Sequence, residues 1–382
     1  MLRLFLFLIC LWIASSCVAQ THHPIMGADQ LDILLPKLSG KRVGLVVNQT
    51  SVIHKTHLVD TLKSRGVNVV KALAPEHGFR GTAADGELIN DSVDMKTGIQ
   101  LASIYGKNYK PTTEQLADID VIIFDVQDVG ARFYTYISTL TYVMEACAEN
   151  GKSVIILDRP NPHGYVDGPM MQPEYKSFVG MHPIPVVHGL TMGEIAQMIN
   201  GEGWLKNKVK CHIDIIKLKN WKHDDAYELP IKPSPNLPNN QAVRLYPSIC
   251  FFEGTVISLG RGTATPFQIL GNPELKTMGF QFMPLSIKGV SINPPQENKL
   301  CYGIDLRLVS VPRRIDLHYL LDFYKAYPDK EKFFIPYFEK LAGTAALRQQ
   351  IKDGLTEEQI RESWRSELNN YKKMRKKYLL YQ

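Results

Sequence analysis

The sequence predicts an α/β protein: a Rossmann-like, doubly wound, mostly parallel sheet followed by a smaller mixed α+β domain. Three observations support this. Between residues 40 and 200, short apolar runs alternate with amphipathic helical patterns. The runs are apolar at nearly every position, as in parallel strands covered on both faces. The alternation ends near Pro233, and the 382 residues are enough for two domains.

The predicted elements follow one another in a regular order. Strands are expected at "RVGLVV" (42–47), "VNVVKALA" (67–74), "DVIIFDV" (120–126), "SVIILD" (153–158), "IPVVHG" (184–189) and "CHIDIIKL" (211–218). Helices are expected at "HKTHLVDTLKSRG" (54–66), "TTEQLADI" (112–119), "ISTLTYVMEACAENG" (137–151) and "TMGEIAQMING" (191–201). This order is typical of a doubly wound α/β domain.

A proline- and asparagine-rich loop, "KPSPNLPNN" (232–240), predicts the boundary between a domain at 20–235 and a domain at 236–382. Beyond it, residues 289–311 resemble antiparallel strands. Thr356 and Gln359 form a predicted capping box at the start of a C-terminal helix. Its apolar positions recur at helical spacing and are expected to pack in the core; they are Ile360, Trp364, Leu368, Tyr371 and Met374.

The N-terminus has the pattern of a signal peptide at residues 1–19. Arg3 precedes an apolar stretch, and small residues precede a cut ahead of Gln20. A lipoprotein cut before Cys17 is the alternative. Both predict an exported protein, periplasmic or anchored through a lipid on Cys17. No later apolar run reaches the roughly 20 residues of a membrane span.

Charge and cysteine content exclude several classes of protein. The net charge of +6, from 44 basic and 38 acidic residues, is too small to indicate nucleic-acid binding. The cysteines after the N-terminal segment are scattered and form no C-x-x-C pair, which argues against a zinc site; they are Cys147, Cys211, Cys250 and Cys301. One disulfide or four buried thiols are both compatible with this spacing.

Polar residues follow the predicted strands where each one ends. They are Asn48, Glu76 and His77, Asp125 with Gln127 and Asp128, Asp158 with Arg159, and His188. Because the carboxyl ends of parallel strands meet at one edge of a sheet, these side chains are expected to form one site.

Several common sequence motifs for cofactor binding, catalysis and metal binding are missing. There is no G-x-G-x-x-G, no G-x-x-x-x-G-K-[ST] and no G-x-S-x-G, so we expect no nucleotide cofactor and no serine nucleophile elbow. No H-E-x-x-H or D-x-D spacing supports a metal. Carboxylates, arginines and aromatics, including Tyr134, remain, and this mixture suits a carbohydrate. Glu76 or His77 is the expected proton-transfer group.

Seven separated blocks resemble the exo-β-N-acetylmuramidase family of NamZ type. They are "GLVVNQTSV", "LAPEHGFRGTAADGE", "FDVQDVGARFYTYISTL", "LDRPNP…VDGPM", "IPVVHGLTMGEIA", "PSPNLP" and "YPSICFFEGTVISLGRGTATPFQ". The similarity runs from about Arg42 to the terminal "KKYLLY". It implies an exported enzyme that releases N-acetylmuramic acid from the non-reducing ends of peptidoglycan fragments, with a cleft between its two domains. The family's glutamate falls on Glu76.

The resemblance also suggests a role for the arginines. N-acetylmuramic acid carries a lactyl carboxylate, which an arginine can bind through two hydrogen bonds. The shared blocks contain Arg80, Arg132, Arg159 and Arg261. Of these, Arg132 and Arg261 are the preferred candidates. Glu253 begins the block expected to close the cleft from the second domain.

Two mechanisms remain open. Glu76 could protonate the leaving oxygen while Asp125 or Asp128 acts as nucleophile or base. Alternatively, the 2-acetamido group of the sugar attacks its own anomeric carbon. A non-catalytic binding protein for peptidoglycan fragments is the alternative from another class, and a metal-dependent hydrolase is the third.

Overall fold

A computed structural model describes residues 23–76, 78–79 and 92–382. Its strands are β1 (Val43–Val47), β2 (Val52–Ile53), β3 (Thr56–His57), β4 (Val69–Ala74), β5 (Ser92–Val93), β6 (Gln100–Ser103), β7 (Val121–Asp125), β8 (Ser153–Leu157), β9 (Asp167–Met170), β10 (Pro185–Val187), β11 (His212–Ile216), β12 (Ile269–Asn272), β13 (Phe280–Phe282) and β14 (Cys301–Asp305).

The α-helices are α1 (Leu31–Leu38), α2 (Leu58–Ser64), α3 (Thr113–Leu116), α4 (Tyr136–Glu149), α5 (Met192–Gly201), α6 (Asn240–Ile249), α7 (His318–Ala326), α8 (Lys330–Phe333), α9 (Phe338–Ala342), α10 (Ala346–Lys352) and α11 (Glu357–Arg375). Short 3₁₀ turns connect several of them, including Cys250–Gly254 after α6.

The central sheet confirms the predicted fold class. Its strand order is β11-β8-β7-β1-β4-β6-β5. Every pairing is parallel except that between β5 and β6 at one edge. All residues of β1 and β7 are buried, so apolar side chains project from both faces of the sheet into the interior. Two hydrophobic clusters result, one containing Val46 and Phe124 and the other Leu45 and Ile123.

One predicted strand lies outside this sheet. β10 pairs antiparallel with β9 in a separate two-stranded sheet, so "IPVVHG" is not a strand of the parallel core. The central sheet instead contains β5 and β6, which the sequence analysis did not predict. β5 has two residues and β6 has four, and several of their positions are exposed, so their hydrophobic signals are weak.

The C-terminal domain is smaller and mixed, as predicted. A three-stranded antiparallel sheet in the order β12-β14-β13 is accompanied by helices. Within residues 289–311 only β14 is a strand, because turns occupy the stretch around Pro294 and Pro295. The capping box of α11 is confirmed, with Thr356 Oγ1 accepting from the backbone nitrogen of Gln359. The domain boundary at 235/236 stays a prediction.

The end of the chain returns to the central sheet. Tyr381 lies after α11, and its hydroxyl donates to Asp158 Oδ2 at 2.6 Å, next to the end of β8. Earlier in the same segment, the hydroxyl of Tyr371 donates to the backbone oxygen of His188 at 2.9 Å. The last residues therefore complete the packing of the first domain.

A buried arginine joins the two domains. Arg132 is 2% exposed. Its Nη1 donates to the carbonyls of Pro169 and Ile184, and its Nη2 donates to the carbonyls of Leu341 and Ala342 in α9. Burial without a carboxylate partner lowers the pKa of Arg132 to about 9. Its guanidinium thus connects backbone segments that lie about 170 residues apart in sequence.

Cys147, Cys211, Cys250 and Cys301 are all buried free thiols. Among the described residues, no helix combines the length and the apolar character needed to cross a membrane. The predicted signal peptide and Cys17 lie outside the described residues, so export and a lipid anchor stay predictions.

Gly343 offers a test of the arginine connection, with a matched control. It has φ +75°, and a Cβ added there would lie 2.6 Å from Arg132 Nη2. Gly354 has φ +73° and nothing within 4 Å of an added Cβ. Both alanine variants incur the strain of a left-handed residue, about 1–2 kcal/mol. Gly343→Ala should lose about 1–3 kcal/mol more through the clash, measured by denaturant unfolding. The added Cβ would also lie 2.9 Å from the Met171 Cα, so the variant tests the close packing of Gly343 against both Arg132 and the backbone at Met171. Equal destabilisation of the two variants would show that this packing is not tight.

Candidate active site

Glu76 lies just beyond the end of β4, and its side chain is buried. The residue is 7% exposed. Thr135 Oγ1 donates to Glu76 Oε2 at 2.6 Å, and the Tyr136 hydroxyl lies 3.5 Å from the Glu76 backbone oxygen. Thr135 and Tyr136 form the N-terminal end of α4, which follows β7. Two segments that each follow a parallel strand thus position the glutamate.

Glu76 lines a cavity of about 280 Å³. Four of the predicted site residues line it: Glu76 and Tyr134 from the first domain, and Glu253 and Arg261 from the second. The cavity therefore lies between the domains, as expected for the cleft. Its other described lining residues are Tyr105, Tyr109, Phe133, Thr135, Phe178, Val179, Ser234, Asn236, Leu237, Tyr246, Phe267 and Tyr337.

Glu253 and Arg261 form an ion pair on the second-domain wall. Arg261 Nε donates to Glu253 Oε1 at 2.7 Å, and its guanidinium carbon lies 5.1 Å from the centre of the Phe267 ring. The flanking Gly260 and Gly262 both have positive φ. A Cβ on Gly262 would lie 2.4 Å from the backbone oxygen of Leu285. Close packing of the loop, rather than room for a ligand, requires glycine there.

Asp125 and Arg159 form a second ion pair, which is buried behind the strand ends. Arg159 Nε and Nη2 donate to the two carboxylate oxygens of Asp125 at 2.6 and 2.9 Å. Asp125 is fully buried and Arg159 is 6% exposed. Neither is among the described residues that line the cavity. The carboxylate predicted as nucleophile or base is thus fully engaged by an arginine.

Two amides at the strand ends support their neighbours. Asn48 Nδ2 donates to the Tyr136 hydroxyl at 2.8 Å, next to Glu76. Gln127 Nε2 donates to the backbone oxygens of Asp128 and Pro160. Both amides are buried, and neither lines the cavity. Tyr136 therefore connects Asn48 to the backbone oxygen of Glu76.

Asp128 lies behind the cavity in an apolar setting. Its Oδ2 accepts from the backbone nitrogen of Gly130 at 2.6 Å, and burial raises the pKa of its carboxyl to about 7. His188 Nε2 lies 4.0 Å from the same oxygen, and burial lowers the pKa of His188 to about 3. Neither Asp128 Oδ1 nor His188 Nε2 has a hydrogen-bond partner among the described residues.

Asp158 is bound from three sides. It accepts from the Thr191 hydroxyl, the Gly193 backbone nitrogen and the Tyr381 hydroxyl. Burial raises the pKa of Asp158 to about 6. These contacts cap α5 and hold the chain end, so Asp158 serves packing here. It lies away from the described cavity lining.

His77 and Arg80 lie outside the described residues, so their predicted roles stay predictions. The cavity also contains aromatic residues that the sequence analysis missed, chiefly Tyr105, Tyr109 and Phe178. They follow β6 and β9, and no motif marks them. Within the described residues there is no cluster of three or more His, Cys, Asp or Glu side chains that could hold a metal ion.

A buried glutamate, an ion pair and many aromatic rings around an interdomain cavity define a carbohydrate-processing site on a Rossmann-like fold. The comparisons agree. Residues 43–241 match the family described as Exo-beta-N-acetylmuramidase NamZ, N-terminal, and residues 244–381 match its C-terminal counterpart. The chain therefore belongs to the exo-β-N-acetylmuramidase NamZ family and is a glycosidase.

Similar proteins span nearly the whole chain. The peptidoglycan beta-N-acetylmuramidase NamZ of Bacillus subtilis (strain 168) is 38% identical over 92% of this chain and 90% of its own length. Two crystal structures of DUF1343 family proteins from Bacteroides fragilis NCTC 9343 share the fold. One has a TM-score of 0.88 and 45% identity, the other 0.78 and 30%. Each alignment covers 94% of this chain and 99% of the other.

The raised pKa of Asp128 predicts a pH-dependent contribution to stability. The folded protein holds this proton more tightly than the unfolded chain. The stabilisation is therefore present below about pH 4 and is lost as pH rises through about 7. Asp128→Asn removes the ionised form. Its free energy of unfolding relative to wild type should rise by roughly 1–4 kcal/mol between pH 4.5 and 7.5.

The measurement is chemical denaturation of both proteins across this pH range. The exposed Asp322 provides the control, because Asp322→Asn alters a carboxylate on the surface of α7. A constant difference across the range would contradict the assignment.

Proposed function

We propose that this chain is an exo-acting glycoside hydrolase that releases N-acetylmuramic acid from the non-reducing end of peptidoglycan fragments, with Glu76 as general acid. The observation that carries the proposal is the buried Glu76, which lines an interdomain cavity of sugar size. Membership of the NamZ family and the similarity to the Bacillus subtilis peptidoglycan muramidase support the substrate class.

In the proposed reaction, Glu76 gives its proton to the glycosidic oxygen as the bond from that oxygen to the anomeric carbon breaks. Water supplies the hydroxyl at the anomeric carbon, and its proton is returned to the enzyme. The Thr135 hydroxyl donates to Oε2, so the other oxygen, Oε1, is the natural position for the transferable proton.

A second carboxylate faces the same cavity. Glu253 lines it from the second domain, whereas Asp125 and Asp128 are not among its described lining residues. We therefore propose Glu253, rather than either aspartate, as the group that orients water or the 2-acetamido group. Its carboxylate is held by Arg261, whose Nε donates to Glu253 Oε1 at 2.7 Å.

Arg261 is the proposed partner of the lactyl carboxylate. Of the two preferred arginines, Arg261 lines the cavity, whereas Arg132 donates to four backbone carbonyls. A guanidinium on the cavity wall provides the charge-assisted donors that distinguish N-acetylmuramic acid from N-acetylglucosamine, which lacks the lactyl group.

Glu76→Gln tests the proton-transfer role. Glutamine keeps the size and the hydrogen bond from Thr135 but cannot donate an acidic proton. Hydrolysis of a chromogenic N-acetylmuramic acid glycoside should fall at least about 100-fold. Glu174→Gln, on an exposed residue of the same domain, is the control. Near-normal turnover by Glu76→Gln would refute the assignment. A wild-type protein that binds the glycoside and leaves it intact would instead support a non-catalytic binding protein.

Arg261→Gln tests the selectivity for the lactyl group. We expect the ratio of kcat/KM for N-acetylmuramic acid over N-acetylglucosamine glycosides to fall by about 10- to 100-fold. Loss of the partner of Glu253 alone would lower both rates equally and leave the ratio unchanged. Measuring both substrates on one variant therefore separates recognition of the carboxylate from damage to the ion pair.

A further inference from the structure

Three aromatic rings form a cluster on the first-domain wall of the cavity. The rings of Tyr109 and Phe178 lie 4.2 Å apart between centroids, and those of Tyr105 and Tyr109 lie 5.5 Å apart. All three residues line the same cavity as Glu76. We call them the aromatic cluster. None of the contacts of Glu76 described above involves these rings.

The cluster and the Glu253–Arg261 pair come from different domains and line the same cavity as Glu76. From Arg261, ring contacts run through Phe267 and Tyr246 to Tyr134, at 5.1, 5.1 and 5.7 Å. The next residue, Thr135, binds Glu76. One helical turn further along α4, Ser138 Oγ donates to the backbone oxygen of Phe178. The ion pair and the aromatic cluster are thus connected to the segment that binds Glu76 through separate contacts.

The two ends of this series differ in exposure. Tyr109 is 36% exposed, and Tyr105 and Phe178 are half-buried. In contrast, Tyr134 is 8% exposed, Tyr246 7% and Phe267 1%. Tyr109 thus lies nearest the open mouth, whereas the side chains of Arg261 and Glu253 are only 15% and 21% exposed. Partly exposed aromatic rings at the mouth of a cavity leave apolar area that a ligand can cover.

We infer that the aromatic cluster binds the sugar ring on the leaving-group side of the scissile bond, an N-acetylglucosamine residue of the peptidoglycan fragment. This inference rests on the proposed function. An exo-acting enzyme takes the terminal sugar into the closed end, so the rest of the substrate must extend toward the mouth. The C–H face of a hexose and the acetamido methyl group match an apolar aromatic surface. Binding energy from this ring supports bond breaking at Glu76.

The test compares two substrates that share the terminal sugar and differ in the leaving group. One is the disaccharide of N-acetylmuramic acid linked β-1,4 to N-acetylglucosamine. The other is β-N-acetylmuramyl fluoride, whose leaving group has no ring. Tyr109→Ala should lower the ratio of kcat/KM for the disaccharide over the fluoride by about 10- to 100-fold, the loss expected for one aromatic contact.

Tyr109→Phe is the matched control, because it keeps the ring and removes only the hydroxyl. Its ratio should stay within about threefold of wild type. N-acetylglucosamine should also inhibit fluoride hydrolysis by wild type and do so more weakly with Tyr109→Ala. A Tyr109→Ala variant that loses both activities equally, or neither, would overturn the inference while leaving the proposed function intact. A wild-type protein inert toward both substrates would overturn the proposed function and, with it, this inference.

Discussion

In a parallel sheet the strands end at one edge, so the polar side chains that follow them are buried close together. In this protein β1, β4, β7 and β8 all end near one another, so carboxylates, amides and an arginine share a small, largely dry volume. Each buried polar group in such a volume needs a partner, because an unpaired charge there is costly. This requirement determines which side chains remain available for a ligand.

Most of the polar groups satisfy one another. Asp125 is held by Arg159, Asp158 is held by Thr191 and Tyr381, and Asn48 is held by Thr50 and Tyr136. Glu76 differs, because one hydroxyl binds its Oε2 and its side chain also lines the cavity. The internal ion pair and hydrogen bonds hold the strand ends in place, and the glutamate is positioned by this rigid surrounding.

The fold followed from the sequence because its signal is periodic. Apolar runs of five or six residues separated by helical patterns can hardly form anything other than a covered parallel sheet. Of the residues predicted at the strand ends, Glu76 lines the cavity. The sequence could not show which carboxylates pair internally, because Asp125 and Arg159 are 34 residues apart and their contact depends on the register of two strands. For the same reason, the sequence could not show that Arg132 binds backbone carbonyls whereas Arg261 lines the cavity.

Other misses have different physical causes. His188 follows an apolar run that reads like a core strand, but β10 pairs with β9 outside the main sheet. Tyr105 and Tyr109 lie in a loop without periodic pattern, and only the tertiary fold brings them to Phe178 and Glu76. Isolated tyrosines in loops carry no sequence signal for a sugar subsite.

The bond between Tyr381 and Asp158 has a consequence for how the molecule is made. The two residues are separated by 223 positions, yet they close the same edge of the first domain. During synthesis the α/β sheet can assemble early. Asp158, the buried acid beyond β8, gains its hydrogen bond from the Tyr381 hydroxyl only after residue 381 has left the ribosome. Until then, the buried carboxyl of the first domain lacks the donor that joins it to the segment after α11.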